Sequence, residues 1–384
     1  MDDAVLAPGE VASMASPSRD GHDHRRTTEA VLLALRGAVS LIQARARSYD
    51  AAAIFPEEDI RLLRDIGAIE VFGHEAGGLD LMEALRLVGR SNLSVGRIFE
   101  GHVNGAALVR WYGDARQRRA LERSLREGQV YGVWNTEPSP GVRIHSAAPG
   151  DPRLVGAKSY ATGAGCIDRA IVTAALAGGG HAMVIADASD PARADPSAWR
   201  VRGMRATVSG TYDLSGLPAD RSVVLGEPDD YGREPRFSAG AWRFTAVQLG
   251  GVERVLGLLR DHLVGGSKAA SSVHRARFGE ALTATRSAYL WVREAAMRTD
   301  SAHASLDVVP LVLLTRGVVE RAGLQVMEAA ARSVGTHAFF EDDPLDQACR
   351  DLAMYLRQPV PDEALDRAAA AFLERDRWGG DPLW

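Results

Sequence analysis

The chain of 384 residues is 46% hydrophobic and 25% charged, with a formal net charge of -5. This composition suits a soluble globular protein large enough to bury the cores of two or three domains, and it offers no basic excess that would point to nucleic acid as a partner. Cys166 and Cys349 are the only cysteines and lack a CxxC spacing, which argues against a disulfide framework or cysteine-rich metal site and suits a reducing cytoplasm; no apolar run reaches the ~18–20 residues of a membrane span.

Residues 1–30 mix Pro, Gly, Ser and charge without a sustained apolar period, so they read as a flexible tail with no signal-peptide core. Over 27–49, Val31, Leu32, Leu35, Val39, Leu41 and Ile42 recur at helical spacing and predict one buried face. Phe55-Pro56-Glu57-Glu58 opens a second helix, with proline at its start and acids in its first turn, and Gly67 closes it. Helices over 79–90 and 94–112 follow, with Gly89 and Gly113 as terminators, then a shorter one over 117–128. His102 falls inside the longer helix, where a lone histidine reads as structural.

The pattern changes at Tyr131. The stretches YGVWNTEPSPGVRI and LVGAKSYATGAGCIDRAIVTA are runs of β-branched and aromatic residues broken by Gly, Pro, Ser and Thr, the mark of paired strands. AIVTAAL and AMVIADA flank Gly178-Gly179-Gly180 as an antiparallel pair, and a further strand pair is expected over 199–214. Beyond a polar linker through Arg236, helical spacing returns in Trp242, Val247, Leu249, Val252, Leu256, Leu259 and Leu263, followed by helices over 269–298 and 308–334 and a final pair from Leu345 and Pro361.

Asn135-Thr136-Glu137-Pro138 followed by Gly156-Ala157-Lys158-Ser159-Tyr160-Ala161-Thr162 resembles the middle-domain signature of the acyl-CoA dehydrogenase family, in which a TEP motif and a GxKxxxT motif flank the flavin. The resemblance runs from about Phe55 to Arg357 and implies an α+β, mainly α fold: an N-terminal helical domain over 31–130, a central β-barrel-like domain over 131–232 and a C-terminal four-helix bundle over 233–384. It further implies FAD as cofactor, held through Thr136, Tyr160 and Thr162. Arg275 and Phe278 of an RxxFG motif would reach the flavin of a neighbouring subunit, and Gly335 belongs to a glycine turn. The arginine could equally belong to a solvated helix face, although a guanidinium suits a pyrophosphate because its donors engage oxygens in pairs.

Two departures bear on the chemistry. Nine residues after Arg350 of an Arg350-Asp351 pair, where many relatives carry the glutamate base, stands Pro359; Glu253-Arg254 matches the alternative arrangement with the base on the first C-terminal helix. Glu253 lies four residues after Leu249 and three before Leu256, at the edge of the apolar face, where partial burial would raise its basicity. The TEP run continues into Ser139-Pro140-Gly141 rather than Gly-Ser-Asp, which resembles the family's monooxygenase-like branch.

The expected function is α,β-dehydrogenation of an acyl-CoA thioester, with Glu253 as base and electron-transfer flavoprotein as acceptor, in a homodimer or homotetramer. The alternatives are a flavin-dependent monooxygenase served by a flavin reductase, and a catalytically silent flavin-binding relative.

Overall fold

In the computed structural model, which describes residues 20–74, 76–146, 150–299, 305–358 and 360–374, six helices precede the first strand. They are α1 (Asp20–Ala52), α2 (Glu57–Asp65), α3 (Ala68–Gly73), α4 (Gly78–Ser91), α5 (Leu93–Tyr112) and α6 (Ala115–Arg126). No proline or glycine interrupts the chain between His22 and Arg36, and α1 reaches back into the stretch expected to be a tail; residues 1–19 of that stretch lie outside the described residues. Leu32, Leu35 and Ile42 are buried as the spacing predicts, whereas Leu41 is 53% exposed. Asn92 caps α5 by accepting from the Ser94 and Val95 amides, and Asp114 forms a capping box with Gln117 on α6.

Gly89 does not terminate α4. It sits within the helix, where an added Cβ would lie 2.2 Å from the Val247 carbonyl oxygen, and Gly250 faces the Arg86 carbonyl at the same 2.2 Å. The two glycines let α4 press backbone against α8 (Trp242–Gly265), a separation that side chains would forbid. This contact fastens the N-terminal helices to the C-terminal ones.

Between them lie β1 (Tyr131–Trp134), β2 (Arg143–Ser146), β3 (Pro152–Val155), β4 (Ala157–Ala161), β5 (Arg169–Ala175), β6 (His181–Asp187), β7 (Ala194–Asp195), β8 (Gly210–Asp213) and β9 (Val224–Leu225). The expected barrel-like domain is two open sheets, one of six strands ordered β3-β2-β5-β6-β9 with β1 also on β5, and one ordered β4-β8-β7. Within the predicted strand pair over 199–214 only β8 is extended; Arg205–Thr207 is a short helical turn flanked by Met204 and Val208 in left-handed conformation.

The remaining helices are α7 (Arg236–Ala239), α8, α9 (Ser272–Thr299), α10 (Val308–Val334), α11 (Pro344–Tyr355) and α12 (Pro361–Leu373). α8, α9 and α10 pack on one another, α11 packs on α8, and α12 packs on α10 through Val309, Leu313, Ala364 and Ala368. No helix among the described residues is long and apolar enough to cross a membrane.

Candidate functional site

β1 and β2 both run parallel to β5 along its same edge: Tyr131 to Trp134 pair with Arg169 to Val172, and Arg143 pairs with Ala175. Residues 135–142 therefore leave the sheet and rejoin it farther along, and this excursion carries the TEP motif. Its inner side is braced by Lys158, a fully buried ammonium that donates to the Asn135 carbonyl and the Thr173 hydroxyl, each at 3.0 Å, and pairs with the Glu137 carboxylate. Thr173 in turn donates to Asn135 Oδ1 at 2.8 Å. Burial lowers the Lys158 pKa and Glu137 opposes the shift, so the lysine's three donors are all spent on holding the excursion. Gly156, at φ +118°, passes so close that a Cβ there would lie 2.5 Å from the Gly141 carbonyl oxygen.

The Ser159 amide donates to the Thr136 carbonyl at 3.0 Å, which joins the two sequence motifs directly and leaves the Thr136 side chain exposed. The β4–β8 register shifts between Lys158 and Ala161, and in that irregularity Tyr160 adopts φ +52° and stays 61% exposed, edge-on to Trp199 at 6.0 Å. Thr162 is buried: its carbonyl accepts from the Trp134 indole at 3.0 Å, and its hydroxyl meets Ser209 at 3.0 Å in a chain that continues to Thr207 at 2.8 Å. Thr136, Tyr160 and Thr162 thus gather at the junction of the two sheets, with an exposed aromatic at its rim.

Arg275, Phe278 and Gly335 form a second group. Gly335 ends α10 at φ +81°, and the start of α9 lies beside it: Arg277 donates to the Arg332 carbonyl at 3.2 Å, and Phe278 packs on the core. Arg275 donates to the carbonyls of Ala269 and Ala270 and is exposed. Lys268 joins this basic end, donating to the Ser333 carbonyl at 3.2 Å and lying 3.0 Å from the His262 ring. His274 Nδ1 and Ser333 Oγ are buried there without hydrogen-bond partners.

Glu253 stands apart from both groups. Its carboxylate accepts from Arg86 of α4 at 2.5 Å, while Arg86 also holds Glu83 at 2.8 Å. Burial raises the Glu253 pKa, with Arg86 opposing. Arg350 and Asp351 are structural ties: Arg350 pairs with Asp50 at 2.9 Å and Asp346 at 2.7 Å, and buried Asp351 accepts from the Met204 amide at 2.5 Å. Pro359 lies outside the described residues.

A cleft of about 410 Å³ lies elsewhere again, bounded by Leu108, Trp111 and Tyr112 of α5, Val133 of β1, Arg236 and Phe237 of α7, and Arg243 and Phe244 of α8. Arg316 of α10 and Glu363 and Arg367 of α12 complete its far wall. Trp111, Tyr112, Arg236, Gly240 and Arg243 are shared with an adjoining cavity of about 380 Å³. Glu253 lines neither. No motif marks these residues in the sequence; the one signal is that Arg236-Phe237 and Arg243-Phe244 repeat the same pair seven residues apart, about two helical turns.

The sequence matches no protein-family model, and no curated protein matches it. Among solved structures the chain is similar to dibenzothiophene monooxygenase TdsC from Paenibacillus sp. A11-2 in its complex with FMN and indole, with a TM-score of 0.80 at 18% identity over 89% of this chain and 96% of that one. It is similar to nitrososynthase from Micromonospora carbonacea var. africana (TM-score 0.78, 19% identity, 91% and 97% covered) and to methanesulfinate monooxygenase MsuC from Pseudomonas fluorescens (0.79, 18%, 89% and 96%). The chain has the acyl-CoA dehydrogenase fold that these proteins share.

Proposed function

We propose that this chain is a flavin-dependent monooxygenase of the acyl-CoA dehydrogenase fold rather than an acyl-CoA dehydrogenase. The observation that carries this reading is the partnership of Glu253 with Arg86, outside the cleft. Removal of an α-proton needs a carboxylate facing the substrate, and the cleft's one carboxylate, Glu363, is exposed at its wall beside Arg316 and Arg367. The likeness to two proteins named as monooxygenases weighs the same way.

The residues present fit a flavin. The excursion over 135–142 is rigid on its inner side and open on its outer side, so Asn135, Thr136 and Tyr160 would hold the ring, with Thr162 supporting it from beneath. Arg275, Phe278 and Gly335 of a neighbouring copy would hold the phosphate end, where His274 and Ser333 keep buried atoms without partners. That assignment makes the active form a homodimer or homotetramer. The FMN in the TdsC structures supports FMN over the FAD implied by the motifs. When bound and reduced, the flavin supplies the electrons that activate dioxygen. A separate flavin reductase would deliver them. In this scheme Trp111, Tyr112 and Phe244 exclude water from the substrate, Arg236 and Arg243 orient it, and Glu253 holds α8 to α4.

The test uses FMN-loaded protein without oxygen. Acyl-CoA thioesters of graded length are expected to leave the flavin absorbance unchanged, and the dithionite-reduced protein is expected to reoxidise rapidly when air is admitted. Bleaching by one chain-length class would restore the dehydrogenase, and failure to bind either FMN or FAD would identify a silent relative.

A further inference from the structure

The two arginines shared by the cleft and its neighbouring cavity are held without a counter-charge. Arg236 lies over the rings of Trp111 at 5.5 Å and Tyr112 at 5.4 Å, and Arg243 over Trp111 at 5.4 Å and Trp242 at 5.6 Å. One indole thus carries two guanidinium groups. Cation–π contact fixes each cation by its face and leaves its N–H donors for another partner. Arg243 gives one donor to Asn104 Oδ1 at 3.2 Å, and its Nε is buried with no partner. The Tyr112 hydroxyl is a second buried polar group without a partner, on another residue common to both cavities.

Glu363 is exposed on the far wall, and the other nearby carboxylates are engaged elsewhere. Arg367 takes Glu234 at 3.1 Å, Arg233 takes Asp230 at 2.8 Å, and Glu100 is held by Arg97 and Asn104. Among the described residues neither Arg236 nor Arg243 has a carboxylate within ion-pair distance. Two like charges stacked on one ring, one of them largely out of water, carry a cost that an anion between them would offset. Leu108, Phe237, Phe244 and Leu313 give the cleft an apolar and aromatic side, opposite the charged far wall of Arg316, Glu363 and Arg367.

We propose that Arg236, Arg243 and the Tyr112 hydroxyl form an anion subsite in this cleft, and that the substrate is an organic anion whose carboxylate, sulfonate or phosphate they hold while its apolar body lies against Trp111 and Phe244. The guanidinium fork suits all three head groups because each offers paired oxygens. That the cleft receives the substrate rests on the oxygenase reading above; the anion preference is measured without turnover, so the two can fail separately. The flavin's own phosphate is the other source of the same chemistry.

The experiment is equilibrium binding to the full chain, with and without FMN, of three anions against neutral counterparts: indole-3-acetate against indole-3-acetamide, naphthalene-2-sulfonate against naphthalene-2-sulfonamide, and phenyl phosphate against phenol. At least one anion is expected to bind ten-fold or more tightly than its counterpart, a preference lost in Arg236→Gln and Arg243→Gln and kept in Arg236→Lys. Arg236 is exposed, so its variants test the idea even where Arg243→Gln does not fold. The proposal is overturned if no anion is preferred, if the preference survives Arg236→Gln, or if that substitution instead weakens FMN ten-fold and leaves the small anions unchanged.

Discussion

The Glu253 carboxylate on α8 and the Arg86 guanidinium on α4 meet at 2.5 Å, each side chain about 15% exposed. Burial outweighs the partner in shifting Glu253, so the pair contributes alignment of the two helices more than net stability. Losing either member has unequal consequences. Glu253→Gln leaves Arg86 with Glu83 and is expected to cost about 1 kcal/mol in urea denaturation, with flavin affinity and oxygen reactivity unchanged. Arg86→Leu strands the Glu253 carboxylate and leaves Glu83 with Arg36 alone, and is expected to cost about 3 kcal/mol. Loss of reduced-flavin reactivity in the Gln variant alone would return Glu253 to the chemistry.

Lys158 governs whether the excursion over 135–142 keeps its shape. Lys158→Met removes all three of its hydrogen bonds and leaves the Glu137 carboxylate against an apolar wall, a loss of about 3–5 kcal/mol. FMN affinity, followed by quenching of flavin fluorescence, is expected to fall at least ten-fold. Adding Glu137→Leu is expected to recover stability but not affinity. Recovery of both would show that the brace does not shape the flavin contact.

His102 makes stability pH-dependent. Its ring is buried, Nδ1 accepts from the Tyr131 amide at 3.2 Å, and Nε2 therefore donates to the Ile69 carbonyl at 2.8 Å. Burial first, with the charge of Arg110, pushes its pKa from 6.5 down to about 4. A depressed base stabilises the fold above its unfolded pKa and loses that contribution as pH falls through the folded value. His102→Gln can make both hydrogen bonds without titrating. The stability difference between wild type and variant is expected to move against wild type by on the order of 3 kcal/mol from about pH 7 to about pH 4. The difference is the proper readout because Asp351 and Asp59, pushed up to about 7 and about 6 by burial, titrate in the opposite sense in both proteins. A flat difference in denaturation profiles across that range would refute a neutral, buried His102.

Glycine has opposite uses at Gly89 and Gly257. Gly89→Ala brings a methyl onto the Val247 carbonyl and is expected to lower stability by about 3 kcal/mol or to prevent folding. Gly257→Ala on α8 meets nothing within 4 Å and is expected to raise stability by about 0.5–1 kcal/mol. Thermal melting of the two variants side by side checks both signs.

The sequence by itself determined most of the elements and their order, though not α3 or the turn that replaces one strand of the pair expected over 199–214. Helical spacing marked Val308–Val334 at both ends, the change of pattern at Tyr131 marked the first strand, and the TEP and GxK motifs marked two segments that Lys158 and Ser159 then join. Those signals are local, set by side-chain periodicity and backbone preference over a few residues. What only the tertiary structure decided is which side chains meet. Glu253 looks like a base at the edge of an apolar face until Arg86, 167 residues earlier, takes its charge. Gly89 looks like a helix terminator until Val247 fills the space a Cβ would need. Arg236 and Arg243 look like surface cations until α5 brings Trp111 beneath both. Charge compensation and close approach are properties of pairs distant in the chain, and no periodicity encodes them.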